Sequence, residues 1–145
     1  VGGWLLFFCV VLTILSPFSS FGMMALGWEQ GSAVFRYYPA FESALYFESI
    51  AIALVLLYGF VVGLMIWGGN PAGRRLAKQY LLIRLFGIIC IEIITLVLMS
   101  NLPSQLVWAA VDGIIKVIIV EGVYFLIWWL YFKKSIRVRN TYASE

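Results

Sequence analysis

Six side chains carry a charge within or at the edge of long apolar runs: Glu48, Arg84, Glu92, Asp112, Lys116 and Glu121. On insertion scales a lipid-exposed charge at the bilayer centre costs at least about 2.5–3.5 kcal/mol, so such residues pair, face a polar cavity or carry protons. Asp112 and Lys116 stand four apart, a spacing that puts them on one face of a helix. If the turn between the last two runs centres near Pro103 and Ser104, Glu92 comes level with Ile115 and hence with Lys116. Glu121 lies on a different face of that helix but near the depth of Arg84. A polar network between the last two helices is therefore expected. Its charges could specify helix pairing, floor a cavity for an ion or polar ligand, or relay a proton through Glu92 or Glu121.

Other chemistry is sparse. The chain has no histidine, which removes the commonest acid–base group and metal ligand. Its two cysteines, Cys9 and Cys90, lie in apolar runs without a ligand partner at motif spacing, and read as small hydrophobes. No nucleophile–histidine pair can form. Neither a catalytic role, a cofactor nor a metal is expected.

The elements that must position these charges follow from composition. Of 145 residues, 63% are apolar and 12% charged, against roughly 45–50% and about 25% for a soluble domain. The mean hydropathy of +1.00 agrees. A soluble fold would leave large apolar patches in water, so lipid is the expected solvent. Each helical span needs about 20 apolar residues, and four spans with short connections nearly fill this length. The expected fold is all-α: an integral membrane bundle of four transmembrane helices, up-down-up-down. The spans read as about 4–27, 45–67, 81–100 and 107–132. Between them lie an aromatic connection over about 28–44, a basic one over about 68–80 and a short uncharged turn; a basic tail covers about 133–145.

The first run is too long for a secretory core and has no basic segment before it, so it reads as a retained span. Pro17 inside it predicts a kink near Thr13 to Pro17, where the Thr13 carbonyl loses its usual donor. Pro39 with Glu42 reads as a helix start, and Gly68-Gly69-Asn70-Pro71 as a stop.

Orientation follows from the basic residues. Arg74, Arg75 and Lys78, with Lys133, Lys134, Arg137 and Arg139, make up seven of the ten Lys and Arg residues. Basic loops stay cytoplasmic, which predicts both termini inside. Trp4, Trp67, Tyr80, Trp128 and Trp129 then form one interfacial belt, and Trp28 and Trp108 the other. In that frame Pro17, Glu48 and Asp112 bring irregular or polar features to one outer layer. Together with Glu92 and Lys116 they predict a polar pocket open on the outer side rather than a continuous pore.

Gly59 and Gly63 form a GxxxG on the second helix, and Ala109 with Gly113 a looser small-xxx-small pair. Such spacing lets backbones approach, within the chain or between copies. The tail residues Lys133, Lys134, Ser135, Arg137, Arg139 and Thr141 follow an aromatic patch and offer a headgroup or partner site. Nucleic-acid binding is not expected of it.

The chain opens Gly2-Gly3-Trp4-Leu5, has Leu15-Ser16-Pro17 in its first helix, and ends Trp129-Leu130-Tyr131-Phe132-Lys133-Lys134-Ser135-Ile136-Arg137-Val138-Arg139-Asn140-Thr141-Tyr142. That order resembles the small bacterial four-span inner-membrane proteins of the domain of unknown function 2569 family, with Arg139 and Tyr142 in place of the usual lysine and phenylalanine. The resemblance covers essentially the whole chain and implies a multi-pass protein of the cell inner membrane; it implies no activity. The expected function is a non-enzymatic module that binds membrane lipids or a partner, either a membrane protein or a second copy. The alternative is a transporter or channel component that uses the intramembrane charges.

Overall fold

A computed structural model of the chain describes residues 3–135. The described residues form four helical rods joined by short turns. The first rod consists of α1 (Trp4–Val10), a π-helical segment (Val11–Leu15) and α2 (Ser16–Phe35). The others are α3 (Pro39–Trp67), α4 (Gly73–Leu98) and α5 (Ser104–Lys134). Three are long and apolar enough to cross a membrane: Trp4–Phe35, Pro39–Trp67 and Gly73–Leu98.

The π-helical segment lies immediately before Pro17. Proline cannot donate to the Thr13 carbonyl, and the backbone widens there instead of breaking. The Ser16 N–H reaches back five residues to the Val11 carbonyl, and the Thr13 hydroxyl donates to the Cys9 carbonyl at 2.8 Å. The irregularity expected over Thr13 to Pro17 is thus a wide turn.

Glycine and proline place the turns. α3 ends in a Schellman motif: Gly69 adopts φ +72°, its N–H donates to the Ile66 carbonyl, and the Asn70 N–H donates to that of Met65. The Asn70 side-chain oxygen then accepts from the Ala72 N–H at 2.9 Å and starts α4. Pro39 opens α3 after an extended Tyr38.

Helix and expected connection part company around the first turn. Residues 28–35, expected in an aromatic connection, are helical, and the chain turns only at Arg36–Tyr38, while 39–44 are helical as the start read at Pro39 and Glu42 requires. Nothing before Pro39 forbids a helix, because Glu29, Ser32 and Arg36 are tolerated on an exposed helical face. The first rod is therefore about 48 Å long at 1.5 Å per residue, beyond the roughly 30 Å of hydrocarbon. Likewise residues 73–80 of the expected basic connection already belong to α4.

The short turns make neighbouring rods antiparallel, and α3 against α4 is the most extensive interface. Packing is uneven along the rods. The main core joins Leu5, Phe8, Cys9 and Leu12 to Val62 and Ile66, to Ala77, Tyr80 and Leu81, and to Trp128 and Phe132. All of these lie toward the end that holds Trp4, the Gly68–Ala72 turn and Lys134, hereafter the basic end. Phe8 meets Trp128 at 4.6 Å and Phe132 at 4.9 Å between ring centroids. Toward the far end, α5 buries no residue from Ser104 to Val120, and the first rod none from Pro17 to Gln30. Phe18 is 83% exposed and Trp108 71%. Lipid rather than water suits such a surface, and there cohesion comes from close packing and hydrogen bonds rather than from expelling water.

Candidate functional site

Arg84 is the hub of the charged residues. Its Nε donates to one carboxylate oxygen of Glu121 at 2.7 Å and Nη2 to the other at 2.6 Å, a two-pronged pair with only 12% and 11% of the side chains exposed. Nη1 donates to the Tyr80 hydroxyl at 3.0 Å and to the Ser16 hydroxyl at 3.4 Å. The guanidinium also lies over the Tyr124 ring, 4.3 Å from its centroid. One planar cation thus ties α2, α4 and α5 together, using the fork geometry that lysine lacks. Depth matching brought Arg84 and Glu121 level, and they meet. Sequence reasoning missed Tyr80, Ser16 and Tyr124. Tyr80 stands four residues before Arg84 and so shares its helix face, a signal that could have found it.

α3 joins this node through its glycines. A Cβ on Gly59 would stand 2.8 Å from Tyr80 Cε2 and 2.9 Å from its hydroxyl; one on Gly63 would stand 2.8 Å from Thr13 Cγ2. The GxxxG therefore works within the chain: Gly59 admits the Tyr80 ring and Gly63 admits the π-helical segment. Gly113 differs from expectation, since no neighbouring atom lies within 4 Å of a Cβ there. It packs against nothing among the described residues, because that half of α5 stands away from the core.

The expected approach of Glu92 to Lys116 does not occur. Lys116 donates to Asp112 of its own helix at 2.6 Å, and the two side chains are 71% and 68% exposed. Depth alone proved insufficient because azimuth also counts. At about 100° per residue, Lys116 lies about 140° around α5 from Glu121, and Asp112 about 180°. With Glu121 turned toward α4, both must point away. Glu92 is instead buried, 5% exposed, and no hydrogen bond or ion pair joins it to Lys116. The outer pocket expected to gather Asp112, Lys116 and Glu92 does not form, since Asp112 and Lys116 sit on the outside of the helices and Glu92 within them.

The basic end carries the second set. Arg74, Arg75, Lys78, Gln79 and Leu82 line a groove of about 340 Å³. Arg74 Nε donates to the Phe132 carbonyl at 3.4 Å, and Lys78 Nζ lies 5.9 Å from the centre of the Trp129 ring. The last turn of α5 therefore positions two of the three cations, its carbonyl dipoles favouring positive charge. Lys133 and Lys134 are exposed in that same turn. Ser135 closes the helix, its N–H donating to the Tyr131 carbonyl at 2.9 Å. Arg137, Arg139 and Thr141 lie outside the described residues. The cations of the groove were read from the sequence only as topology signals, because a groove needs two helices and sequence spacing describes one.

Among the described residues no group of three or more His, Cys, Asp or Glu could hold a metal ion. Cys9 is buried and Cys90 exposed. No curated protein and no solved structure matches the chain. A family model matches residues 1–143, and its description is a protein of unknown function.

Proposed function

From the premise that the chain belongs to the DUF2569 family, whose function is unknown, we propose that it is a non-enzymatic, four-span protein of a bacterial inner membrane that binds anionic lipid at its basic end. α5, with its last turn rich in Trp, Tyr and Lys, serves as the fourth span, and both termini face the cytoplasm. The basic residues support this orientation, as does the resemblance at the two ends of the chain.

The groove of Arg74, Arg75 and Lys78 is the observation that carries the lipid reading. Two of its cations are held in place by α5, and no acidic residue occurs between Glu48 and Glu92 to neutralise it. Leu82 and Trp129 give an acyl chain and glycerol an apolar flank beside a phosphate. Topology requires positive charge here but does not require it to be concave and braced. A phosphodiester headgroup with net negative charge matches it.

The test is binding of short-chain phosphatidylglycerol and phosphatidylcholine to the detergent-purified protein, followed by Trp fluorescence. Each basic residue near an anionic surface contributes about 1 kcal/mol. The R74Q/R75Q/K78Q variant should therefore bind phosphatidylglycerol about a hundredfold more weakly. Equal affinity for the two lipids in the unaltered protein would refute the proposal.

A partner-binding role has its own support at the far end. Asp112 and Lys116 form an exposed pair on a helix face that also presents Gly113. A charged pair facing hydrocarbon is costly, and a twofold-related copy could exchange the pairing, Asp112 with the other copy's Lys116. A cysteine replacing Gly113 should then cross-link in membranes.

A further inference from the structure

Three contacts fix the register of α4 against α5. Arg84 meets Glu121, Lys78 Nζ lies 5.9 Å from the centre of the Trp129 ring, and Arg74 Nε donates to the Phe132 carbonyl at 3.4 Å. The two helices therefore stay side by side from the ionic node to the basic end. Phe125 stacks on Trp129 with ring centroids 5.2 Å apart, so the α5 face that meets α4 runs Glu121, Phe125, Trp129 at a spacing of four. Lys133 is the next residue of that series. At about 100° per residue it lies about 40° around α5 from Trp129, and as the neighbour of Phe132 it is level with Arg74. Its side chain is exposed, and no ion pair reaches it among the described residues. Lys133 thus adds a fourth cation to the rim of the groove that Arg74, Arg75 and Lys78 line.

No carboxylate of these helices answers the four cations. Neither the stretch from Ser49 to Ile91 nor that from Gly122 to Ser144 contains Asp or Glu. α4 adds to the excess. Its first turn holds two arginines, no acid and no side-chain cap, at the pole where the helix dipole already favours an anion. Arg74 and Lys78, four apart on one face, also repel each other. A single phosphodiester supplies one negative charge against all of this.

We infer that the groove prefers a glycerolipid with two phosphates, of the diphosphatidylglycerol class, and that Lys133 selects it; this rests on the lipid reading of the groove. One phosphate sits among Arg74, Arg75 and Lys78, and the second reaches across to Lys133 on α5. Gln79, which also lines the groove, offers its amide to the glycerol that links them. The link makes binding of the second phosphate intramolecular, so two charges are neutralised without ordering two separate lipids. Basic pockets between helices on the cytoplasmic side suit such headgroups.

The test is native mass spectrometry of the detergent-purified full chain, offered diphosphatidylglycerol, phosphatidylglycerol and phosphatidylcholine together. The mass of each adduct identifies the lipid bound. A cation beside an anionic surface changes affinity about fivefold. At equal total phosphate, diphosphatidylglycerol should therefore bind about fivefold more tightly than phosphatidylglycerol. K133Q should lose about fivefold for the two-phosphate lipid and less than twofold for phosphatidylglycerol, which erases the preference. K134Q should keep it, since Lys134 lies about 140° around α5 from Trp129. Both lysines are exposed, so neither variant disturbs the core. Equal affinity for the two anionic lipids, or equal losses in K133Q and K134Q, overturns the inference. If phosphatidylglycerol then still exceeds phosphatidylcholine, the lipid reading of the groove stands without it. If neither anionic lipid exceeds phosphatidylcholine, both fall.

Discussion

Replacing Arg84 by methionine tests the central node most directly. The substitution keeps an unbranched apolar stem and removes four hydrogen bonds: two to Glu121, one to Tyr80 and one to Ser16. It also leaves the Glu121 carboxylate buried without a partner. Stripping one member from a buried pair costs roughly 3–5 kcal/mol in soluble proteins. The unfolded state in a membrane also finds polar partners, so about 3 kcal/mol is expected, near a hundredfold in the folded-to-unfolded ratio. E121Q should cost less, about 1.5–3 kcal/mol, because its amide oxygen still accepts and Arg84 keeps Tyr80, Ser16 and the Tyr124 ring. The double change R84M/E121Q removes both charges and should be milder than R84M alone. Reversible unfolding by dodecyl sulfate in mixed micelles, followed by Trp fluorescence, gives all three free energies. If the double variant loses as much as the two single variants added together, Arg84 and Glu121 do not stabilise the fold as a pair.

A Cβ at position 59 must displace the Tyr80 ring, so Gly59→Ala should cost about 1–3 kcal/mol in the same assay, whereas Gly113→Ala, in open space on a helix, should be neutral or stabilise by up to about 1 kcal/mol. A double-mutant cycle of E92Q with K116Q should show additivity within about 0.5 kcal/mol, since the two side chains face different surroundings; coupling above about 1 kcal/mol would restore direct pairing. For topology, an impermeant maleimide applied to intact cells should label a single cysteine at Tyr37, which is 75% exposed in the first turn, and spare one at Ser144; the reverse pattern would invert the proposed orientation.

Much of the fold was legible because proline, glycine and apolar run length act locally. Pro39, the Gly68-Gly69-Asn70-Pro71 stop and the irregularity before Pro17 all stand where elementary backbone chemistry puts them. The end of the first helix, at Phe35 rather than near Gly27, was misplaced because polarity was read as absence of helix. A helix can run past the hydrocarbon, and the polarity of Glu29 and Arg36 says only where water begins. At the level of the site, a hairpin's turn sets depth, so Arg84 and Glu121 could be matched. The 100° step already puts Glu121 on a different face from Asp112 and Lys116, and carrying that through to the α4-facing side would have turned Lys116 away. The groove at the basic end and the coordination of Tyr80 and Tyr124 depend on how two or three helices settle together. A single helix's spacing does not carry that information.

The one-sided core makes the protein a lever. Phe8, Trp128 and Phe132 pin the rods at the basic end, and the Arg84–Glu121 pair marks where α5 leaves its last firm support. From Glu121 to Ser104 the arm, tied to α4 by the turn at its tip, is about 25 Å at 1.5 Å per residue. A tilt of about 5° at that fulcrum would carry its tip about 2 Å sideways. In the proposed four-span arrangement the surrounding lipid would share with the α4–α5 contacts the resistance to such a tilt. If α5 crosses the membrane as proposed, thinning or stretching the far leaflet would move the tip of α5 while the basic end stayed still, so that strain applied in one leaflet is felt in the molecule as an angle.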